Sequence, residues 1–255
     1  MVKHLWTYVY DDTPKPHVHP LQTPGGRLLT RVSPPDHPWM RGLWFAVKFV
    51  DGVNFWEENP HDPAGFGIQR QVGPSRIDWV GPDGEVALTE QRTVDHRDLT
   101  GTAYALDWTT SLTAAGADHD VVLDRTPYTT WGGYGGLVLR GAGDWEDTRI
   151  LLPDGSEHRR PEGIPAAWAD LSNNDAGIAF LDHPDNPRHP VPWYGATRSR
   201  VYGDGWSNYL NAAFLFHEPM TLRAGQPLTF RYRVIVHDDR WDAGTVQQAW
   251  EDWTR

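Results

Sequence analysis

Alternation of apolar and polar residues with a period of two runs through most of this chain of 255 residues. Within residues 228–237, Phe230 and Tyr232 fall on one face of an extended segment, whereas Arg231 and Arg233 fall on the other. This pattern is typical of antiparallel strands that bury one face. The 25 glycines and 21 prolines also interrupt the chain too often for many long helices. The sequence therefore predicts an all-β protein.

The same alternation recurs between turns rich in Gly, Pro and Asp, and neither a repeat nor a linker divides the chain. A single open sheet with so many strands would curl or split into two layers. We therefore predict one large antiparallel two-sheet β-sandwich that spans residues 1–255 as a single domain. The strands are predicted at residues 5–10, 27–32, 43–50, 76–80, 85–96, 102–112, 121–126, 136–140, 149–152, 177–182, 212–217 and 228–237.

One helix is predicted at the C-terminus, over residues 243–255. Apolar side chains recur there with helical spacing at Val246, Ala249, Trp250 and Trp253. Thr245 and a glutamine three residues later fit a capping box at its start. We expect this helix to pack on the sandwich rather than to carry chemistry.

Composition excludes several classes of protein. The 23 basic and 34 acidic residues give a net charge of −11, whereas a general nucleic-acid binder needs a basic surface. No apolar run reaches the roughly 20 residues that cross a bilayer, and the first residues are too polar for a secretory signal. The chain has no cysteine, which excludes a disulfide framework and a thiolate zinc site. We expect a cytoplasmic protein without membrane or nucleic-acid partners.

The chain is rich in two residue types that bind polar ligands, with 14 Trp and 12 His. Tryptophan rings stack on the C–H faces of sugars, and the indole N–H still donates a hydrogen bond. Alternatively, many of these tryptophan rings simply fill a large hydrophobic core. The histidines lie in several proline-rich loops, where imidazole can transfer protons near neutral pH.

Two N-terminal segments concentrate candidate groups. His17 and His19 are two residues apart on an extended segment, so they point the same way and fit a metal or a pair of sugar hydroxyls. Asp36 stands beside His37 and can orient its ring or raise its pKa. Further along, Glu57 belongs to an acidic stretch that follows an aromatic strand and can supply an acid, a base or a hard-metal ligand.

Candidate groups continue in the second half of the chain. Glycines flank Tyr134 and allow the backbone to approach a ligand closely. This segment is not a GxGxxG fingerprint that opens a helix, so we expect no nucleotide cofactor. His183 and His189 lie in a proline-dense loop after a buried strand, and His217 is predicted at a strand end.

An ordered series of motifs covers nearly the whole chain and resembles the PmoA-like family. One departure is that Trp39 and Met40 stand where relatives tend to have consecutive histidines, so any role of those histidines is lost or moved here. The segments that carry the resemblance are residues 15–23, 36–46, 53–56, 134–137, 168–172, 181–187 and 223–237, with Leu181-Asp-His-Pro-Asp-Asn-Pro187 among them.

The resemblance implies a β-sandwich similar to the galactose-mutarotase-like supersandwiches. It also implies a role in sugar catabolism in association with an NAD-dependent sugar dehydrogenase. The family name borrows that of a membrane methane-oxidising subunit, which this chain cannot be because it has no spanning segment.

The leading hypothesis is a lyase or hydratase that acts on a keto-sugar or keto-glycoside. A ketone acidifies the neighbouring C–H bond, so a base and an acid can run elimination or hydration without a redox cofactor. We predict proton transfer by His37, Glu57 and His183. A divalent metal among these groups is an open alternative for the electrophile. Substrate binding, ring stacking and oxyanion stabilisation are assigned to His19, Trp39, Arg41, Tyr134, Trp168, His189 and His217.

Two other classes remain open from the sequence. One is a mutarotase, an epimerase or a glycoside hydrolase. Hydrolysis requires two carboxyl groups roughly 5 Å apart for retention or about 6.5–9.5 Å apart for inversion, and Glu57 with Asp185 is the candidate pair. The other class is a non-catalytic carbohydrate-binding protein, which would need few of the histidine-bearing loops.

Overall fold

The computed structural model describes residues 4–116, 118–126, 133–197 and 208–255, whose strands form antiparallel sheets of seven, nine and four strands. The prediction of an all-β sandwich with one C-terminal helix is confirmed. The seven-stranded sheet has the order β1-β2-β3-β11-β18-β17-β14. Its strands are β1 (Trp6–Val9), β2 (His17–Leu21), β3 (Leu43–Val47), β11 (Gly135–Arg140), β14 (Glu162–Pro165), β17 (Pro192–Ala196) and β18 (Tyr209–Ala212).

The nine-stranded sheet has the order β13-β12-β15-β16-β20-β9-β8-β7-β6. Its strands are β6 (Ile68–Gln71), β7 (Arg76–Val80), β8 (Val86–Thr100), β9 (Ala103–Ala114), β12 (Arg149–Leu151), β13 (Glu157–His158), β15 (Trp168–Ser172), β16 (Ala176–Asp182) and β20 (Leu228–Asp238). The four-stranded sheet, in the order β19-β10-β4-β5, consists of β4 (Phe49–Val50), β5 (Val53–Asn54), β10 (Val121–Asp124) and β19 (Met220–Leu222).

The main core lies between the two large sheets. Phe45 of β3 packs on Phe230 of β20 with ring centroids 5.5 Å apart, and Phe180 of β16 packs on Trp193 of β17 at 6.3 Å. Along most strands of the two large sheets, alternate residues point into this core. The intervening residues therefore lie on the two outer faces of the sandwich.

The two outer faces differ in composition. The outer face of the nine-stranded sheet carries a small apolar cluster that includes Trp168 and Leu181, and the C-terminal helix covers it. The outer face of the seven-stranded sheet carries a separate cluster, and we call it the aromatic cluster. Its buried members are Met40, Trp44, Ala46, Trp56, Val138, Tyr194, Tyr209 and Ala213, and Trp39, Tyr134 and Phe216 pack against them.

The C-terminal helix α1 (Ala243–Thr254) begins earlier than the predicted capping box. Its N-cap is Asp242, whose carboxylate accepts a hydrogen bond from the Thr245 backbone N–H at 2.8 Å. The predicted cap at Thr245 is therefore wrong, because the helix already begins at Ala243 and the aspartate before it accepts the backbone N–H of Thr245. Val246 is fully buried against the sheet.

Replacing Asp242 with Ala is expected to lower the free energy of unfolding by about 1 kcal/mol, because two hydrogen bonds at the start of α1 are lost. Urea denaturation measures this change. Asp175→Ala is the matched control, since it removes a nearby exposed carboxylate that caps no helix. An equal loss in both variants would contradict the capping role.

Two predicted strands are wrong. Residues 27–32 make only isolated bridges, through Leu28 to Gln22 and through Thr30 to Gly141. The strand predicted at residues 212–217 instead ends at Ala212, and a turn follows it. His217 therefore lies in an exposed turn rather than at a strand end.

Candidate functional site

Cross-strand pairing aligns five residues in one row across the outer face of the seven-stranded sheet. The pairs are His17–Trp44, Trp44–Val138, Val138–Asn211 and Asn211–Tyr194. Because neighbouring strands lie ~4.8 Å apart, the row extends for about 19 Å. The chain neighbours of these residues point into the main core, so the row itself points outward.

A second row lies two residues further along the same strands. Arg140 of β11 pairs with Tyr209 of β18, and both side chains are buried. At the other end of this second row, the residue before β3 packs closely against β2. A Cβ atom at Gly42 would lie 2.4 Å from the carbonyl oxygen of Val18 and 3.2 Å from the Cβ of His19. Glycine is therefore needed for the approach that puts His19 beside this second row.

Several buried polar atoms on this face have no hydrogen-bond partner in the part of the chain that the structure describes. Among them are the Trp44 indole Nε1, the Tyr209 hydroxyl and the Asn211 Oδ1 atom. The amide nitrogen of Asn211 donates to the carbonyls of Gly135 and Leu137 at 3.2 and 3.1 Å, which fixes the side chain. Proteins pair more than about nine in ten buried polar groups. These exceptions on β3 and β18, the strands on either side of β11, therefore form a cradle of donors and an acceptor suited to an external polar molecule.

His17 presents a neutral imidazole to this face. Its Nδ1 atom lies 2.9 Å from the Lys15 carbonyl oxygen, so Nδ1 carries the hydrogen and Nε2 keeps its lone pair. Burial lowers the pKa of His17 to about 4, because the charged form is poorly solvated. His17 is therefore an unprotonated acceptor at neutral pH. Burial also lowers the pKa of His19, whose Nδ1 atom lies 2.9 Å from the Thr30 hydroxyl.

Three tyrosines meet at the Tyr194 end of the row. The ring centroids of Tyr134, Tyr194 and Tyr209 lie 5.8–6.5 Å from one another in edge-to-face contacts, and Trp56 stacks on Tyr134 at 4.9 Å. Burial raises the pKa of all three hydroxyls above the usual range. These hydroxyls therefore stay protonated and act as hydrogen-bond donors at neutral pH.

Ion pairs surround the aromatic cluster. Glu58 bridges Lys15 and Arg41 with one carboxylate oxygen for each cation. Lys15 also donates to the Trp56 carbonyl at 2.6 Å, and burial lowers its pKa to about 8. These bonds hold the segment that carries Trp56 against the start of β2.

A second pair joins Lys48 to Glu57. The Asn54 side-chain oxygen accepts the backbone N–H of Glu57 at 3.1 Å, and its amide donates to the Glu57 carboxylate at 2.8 Å. Glu57 is therefore fixed at the start of the loop that follows β5.

The proline-rich loop 33–41 folds over the Arg140 end of the site. The Asp36 carboxylate contacts both the His37 Nδ1 atom and, at 3.3 Å, the Arg140 guanidinium. The His37 ring meets Trp39 edge-to-face with centroids 5.2 Å apart. The loop thus presents an imidazole and an indole beside a buried cation.

The structure brings six of the predicted site residues to this outer face and leaves four elsewhere. His217 lies in the exposed turn next to Phe216, at the margin of the aromatic cluster. The six that contact the face or its loops are His19, His37, Trp39, Arg41, Glu57 and Tyr134.

His183, His189 and Trp168 lie on the opposite side of the sandwich, beneath or beside α1. His183 contacts Trp253 edge-to-face at 5.1 Å, and His189 stacks parallel to Trp250. Trp168 donates to Gln247 of the helix at 2.8 Å. The predicted meeting of His183 with His37 and Glu57 is therefore wrong, because His183 follows a strand of the nine-stranded sheet. The candidate hydrolase pair is separated for the same reason, since Asp185 lies next to His183.

Sequence reasoning missed most residues of the row itself. Trp44, Arg140, Asn211, Tyr194 and Tyr209 all occur inside strands, where large or polar side chains read as core or as solvated positions. One available signal was Arg140 at the end of the apolar segment Gly135–Arg140. The sequence pairs His17 with His19 as a candidate metal or hydroxyl ligand but does not indicate a role in proton transfer.

The described residues contain no group of three or more His, Asp or Glu side chains arranged to hold a metal ion. In that same part of the chain, no helix has the length and apolar character needed to cross a bilayer.

Two packed antiparallel sheets and one covering helix make this chain a large β-sandwich protein with a polar and aromatic outer face. The chain belongs to DUF6807, a family of unknown function, whose profile matches residues 2–251. A comparison with curated proteins gives no match.

Proposed function

We propose that the outer face of the seven-stranded sheet is the active site of a carbohydrate lyase or hydratase that acts on a keto-glycoside. The observation that carries this proposal is the cradle formed by Trp44, Tyr209 and Asn211, whose buried polar atoms lack partners. A sugar offers several hydroxyls that both donate and accept, together with apolar C–H faces for aromatic rings. The resemblance to PmoA-like proteins implies the same class of substrate.

His17 is the proposed base. Its Nε2 atom is unprotonated at neutral pH, because Nδ1 is bound to a carbonyl and burial disfavours the imidazolium. It also lies in the same row as Trp44, next to the cradle. Removal of a proton from carbon next to a ketone leaves negative charge on the carbonyl oxygen. In this proposal the Arg140 guanidinium and the protonated Tyr209 hydroxyl stabilise that charge.

His37 is the proposed acid. Its Nδ1 atom contacts the Asp36 carboxylate, which fixes the orientation of the ring. In the elimination, His17 takes the proton from the carbon between the ketone and the glycosidic carbon. The C–H electron pair forms a C=C bond, the bond from the glycosidic carbon to the leaving oxygen breaks, and that oxygen takes a proton from His37. The products are an enone and the released alcohol, and addition of water to the enone is the hydration.

This reaction changes no oxidation state, so it needs no redox cofactor, but its substrate is already oxidised. An NAD-dependent sugar dehydrogenase is the kind of partner that would supply a keto-sugar. The proposal does not use His183, which lies on the far side of the sandwich. Glu57 is assigned to substrate binding because Lys48 and Asn54 hold its carboxylate.

The test is to incubate the protein with 3-keto methyl glucoside and with unoxidised methyl glucoside, and to follow enone absorbance and released methanol. We expect turnover of the keto form alone. Tyr209→Phe is expected to lower kcat by about 10²-fold, because one donor to the developing oxyanion is lost. Turnover of the unoxidised glycoside, or of neither sugar, would contradict the proposal.

Tyr232→Phe is the matched control for this variant. The Tyr232 hydroxyl is also buried without a hydrogen-bond partner in the described structure, but it lies in the main core between the sheets. We expect its activity to stay within about twofold of the wild type. An equal loss in both variants would indicate a packing effect rather than a role of the Tyr209 hydroxyl.

A further inference from the structure

A cavity of about 360 Å³ lies beside the aromatic cluster, between the proline-rich loop and the loop after β5. It is distinct from the row of residues that faces outward from the sheet, because none of the row residues lines it. The side chains that line it and that matter here are Trp39, Asn54, Glu57, Glu58, Asn59 and Asp62.

Two residues connect this cavity to the proposed active site. Trp39 borders the cavity and also packs against the aromatic cluster. Glu58 lines the cavity and holds Lys15 and Arg41, which stand at the start of β2 and of β3. A ligand longer than one ring can therefore extend from the row into the cavity without crossing the main core.

The lining combines an indole with amides and carboxylates. Indole faces bind the C–H surface of sugar rings, and amide and carboxylate groups bind neighbouring hydroxyls. The carboxylates of Glu57 and Glu58 are fixed by their ion pairs, so these acceptors are positioned before a ligand arrives.

The charges around the cavity balance. Three carboxylates, on Glu57, Glu58 and Asp62, lie on its lining. Three cations, on Lys15, Arg41 and Lys48, are the partners of the first two. A ligand with a net charge of either sign would therefore find no surplus of opposite charge. An uncharged polar ligand fits this arrangement best.

We infer that the cavity is a second sugar-binding subsite, which takes an uncharged ring of a di- or oligosaccharide whose oxidised ring lies over the row. This inference rests on the proposed function and names its substrate as a neutral glycoside with a sugar leaving group. The position of His37 agrees with this assignment. Its ring is 5.2 Å from that of Trp39, so a leaving ring on Trp39 lies beside the group that protonates the leaving oxygen.

The test measures binding by calorimetry for methyl glucoside and for a panel of sophorose, maltose and cellobiose, with the 3-keto form of each as a second series. At least one disaccharide is expected to bind the wild type tenfold or more tightly than the methyl glycoside of the same series. Trp39→Ala is expected to remove that preference, and Trp39→Phe is expected to restore most of it.

Trp253→Ala is the matched control, because Trp253 is a half-buried indole on the opposite side of the sandwich. It should leave the preference unchanged. Affinity for the disaccharide should also change little between low and high salt, since exposed charges are screened but neutral contacts are not. Tighter binding of a glucuronide or a glucosaminide would overturn the assignment of an uncharged ligand.

The outcomes separate the subsite from the proposed function. If methyl glucoside binds and its keto form turns over, but no disaccharide is preferred or Trp39→Ala changes nothing, the subsite is overturned and the proposed function survives. If no sugar binds in either series, both are overturned.

Discussion

Replacing His17 with Gln is expected to lower kcat/KM for a 3-keto glycoside by about 10³-fold, within the range that a general base contributes. The loss should appear in kcat more than in KM, because His17 acts on the proton that moves in the transition state. Enone absorbance under steady-state conditions measures both constants. The control is His183→Gln, which removes an imidazole beneath α1 and should leave both constants within about twofold.

The pH profile provides a second readout for His17. The base must be unprotonated, and burial places the pKa of His17 at about 4. The wild-type rate should therefore rise through about pH 4 and show no further inflection from this group near pH 6.5. An inflection near pH 6.5 that disappears in His17→Gln would contradict the assigned environment. No pH dependence in this range for either protein would contradict the role as base.

The same pKa has a consequence for stability. The pKa of His17 is 6.5 in a model compound and about 4 in the folded protein. Between these two values the unfolded chain binds a proton that the folded chain does not, so stability falls as the pH falls from 6.5 to 4. The contribution is up to about 3 kcal/mol for a shift of this size. His17→Gln should lose less stability than the wild type over this interval.

Replacing Glu90 with Gln is expected to lower the free energy of unfolding by about 3–5 kcal/mol, because it leaves a buried cation without its counter-ion. Both side chains of the Glu90–Arg92 pair are almost fully buried, and their atoms meet at 2.6 Å. Trp79 and Thr110 also donate to the Glu90 carboxylate, at 2.8 and 3.0 Å. Urea denaturation measures the change, and we expect the midpoint of thermal unfolding to fall by about 10 °C.

This ion pair also connects the two large sheets. Arg92 belongs to β8 of the nine-stranded sheet, and its guanidinium donates to the Pro16 carbonyl at 3.0 Å, next to His17 at the start of β2. A change that only weakens this ion pair is therefore also expected to shift His17, the proposed base. Replacing both Glu90 and Arg92 with Leu and Met should recover only part of the stability, since Trp79 and Pro16 would then lack partners.

Glu157→Gln is the control for this prediction. Glu157 pairs with Arg149 and Arg240 at the surface, where an ion pair contributes no more than about 1 kcal/mol. If Glu90→Gln cost no more than this control, the buried pair would not have the role assigned to it.

The fold was predictable from the sequence because the period of two is a local property of each strand. Strand 76–80 was predicted with the bounds that β7 has, and β20 differs from its prediction by one residue. Strand β2 was missed because His17–Leu21 contains two histidines and a proline, which read as a loop. The long β8–β9 hairpin was predicted shorter than it is, since its tip is exposed and polar on both faces.

The candidate site was predictable only in its loops. His37, Trp39 and Glu57 stand out because loops rich in Pro and Asn rarely need such side chains for packing. The row residues did not stand out, because Trp44 or Tyr209 in a strand has the pattern of a core residue. Pairing between distant strands determines which side of a sheet faces the second sheet. A single sequence does not contain this information. For the same reason, His183 was wrongly predicted to lie close to His37 and Glu57.

The same strands supply residues to the core and, at alternate positions, to the outer row. This double use limits which sequence changes the family can tolerate. Insertion of one residue in β3 would send Phe45 outward and Trp44 inward, so the packing of the core and the arrangement of the outer row would be lost together. Length changes are therefore confined to connections such as residues 33–41 and 54–62. We expect relatives with other ligands to differ by replacement at alternate strand positions and by longer or shorter connections over an unchanged framework. Redesign of the protein for a new ligand should follow the same division.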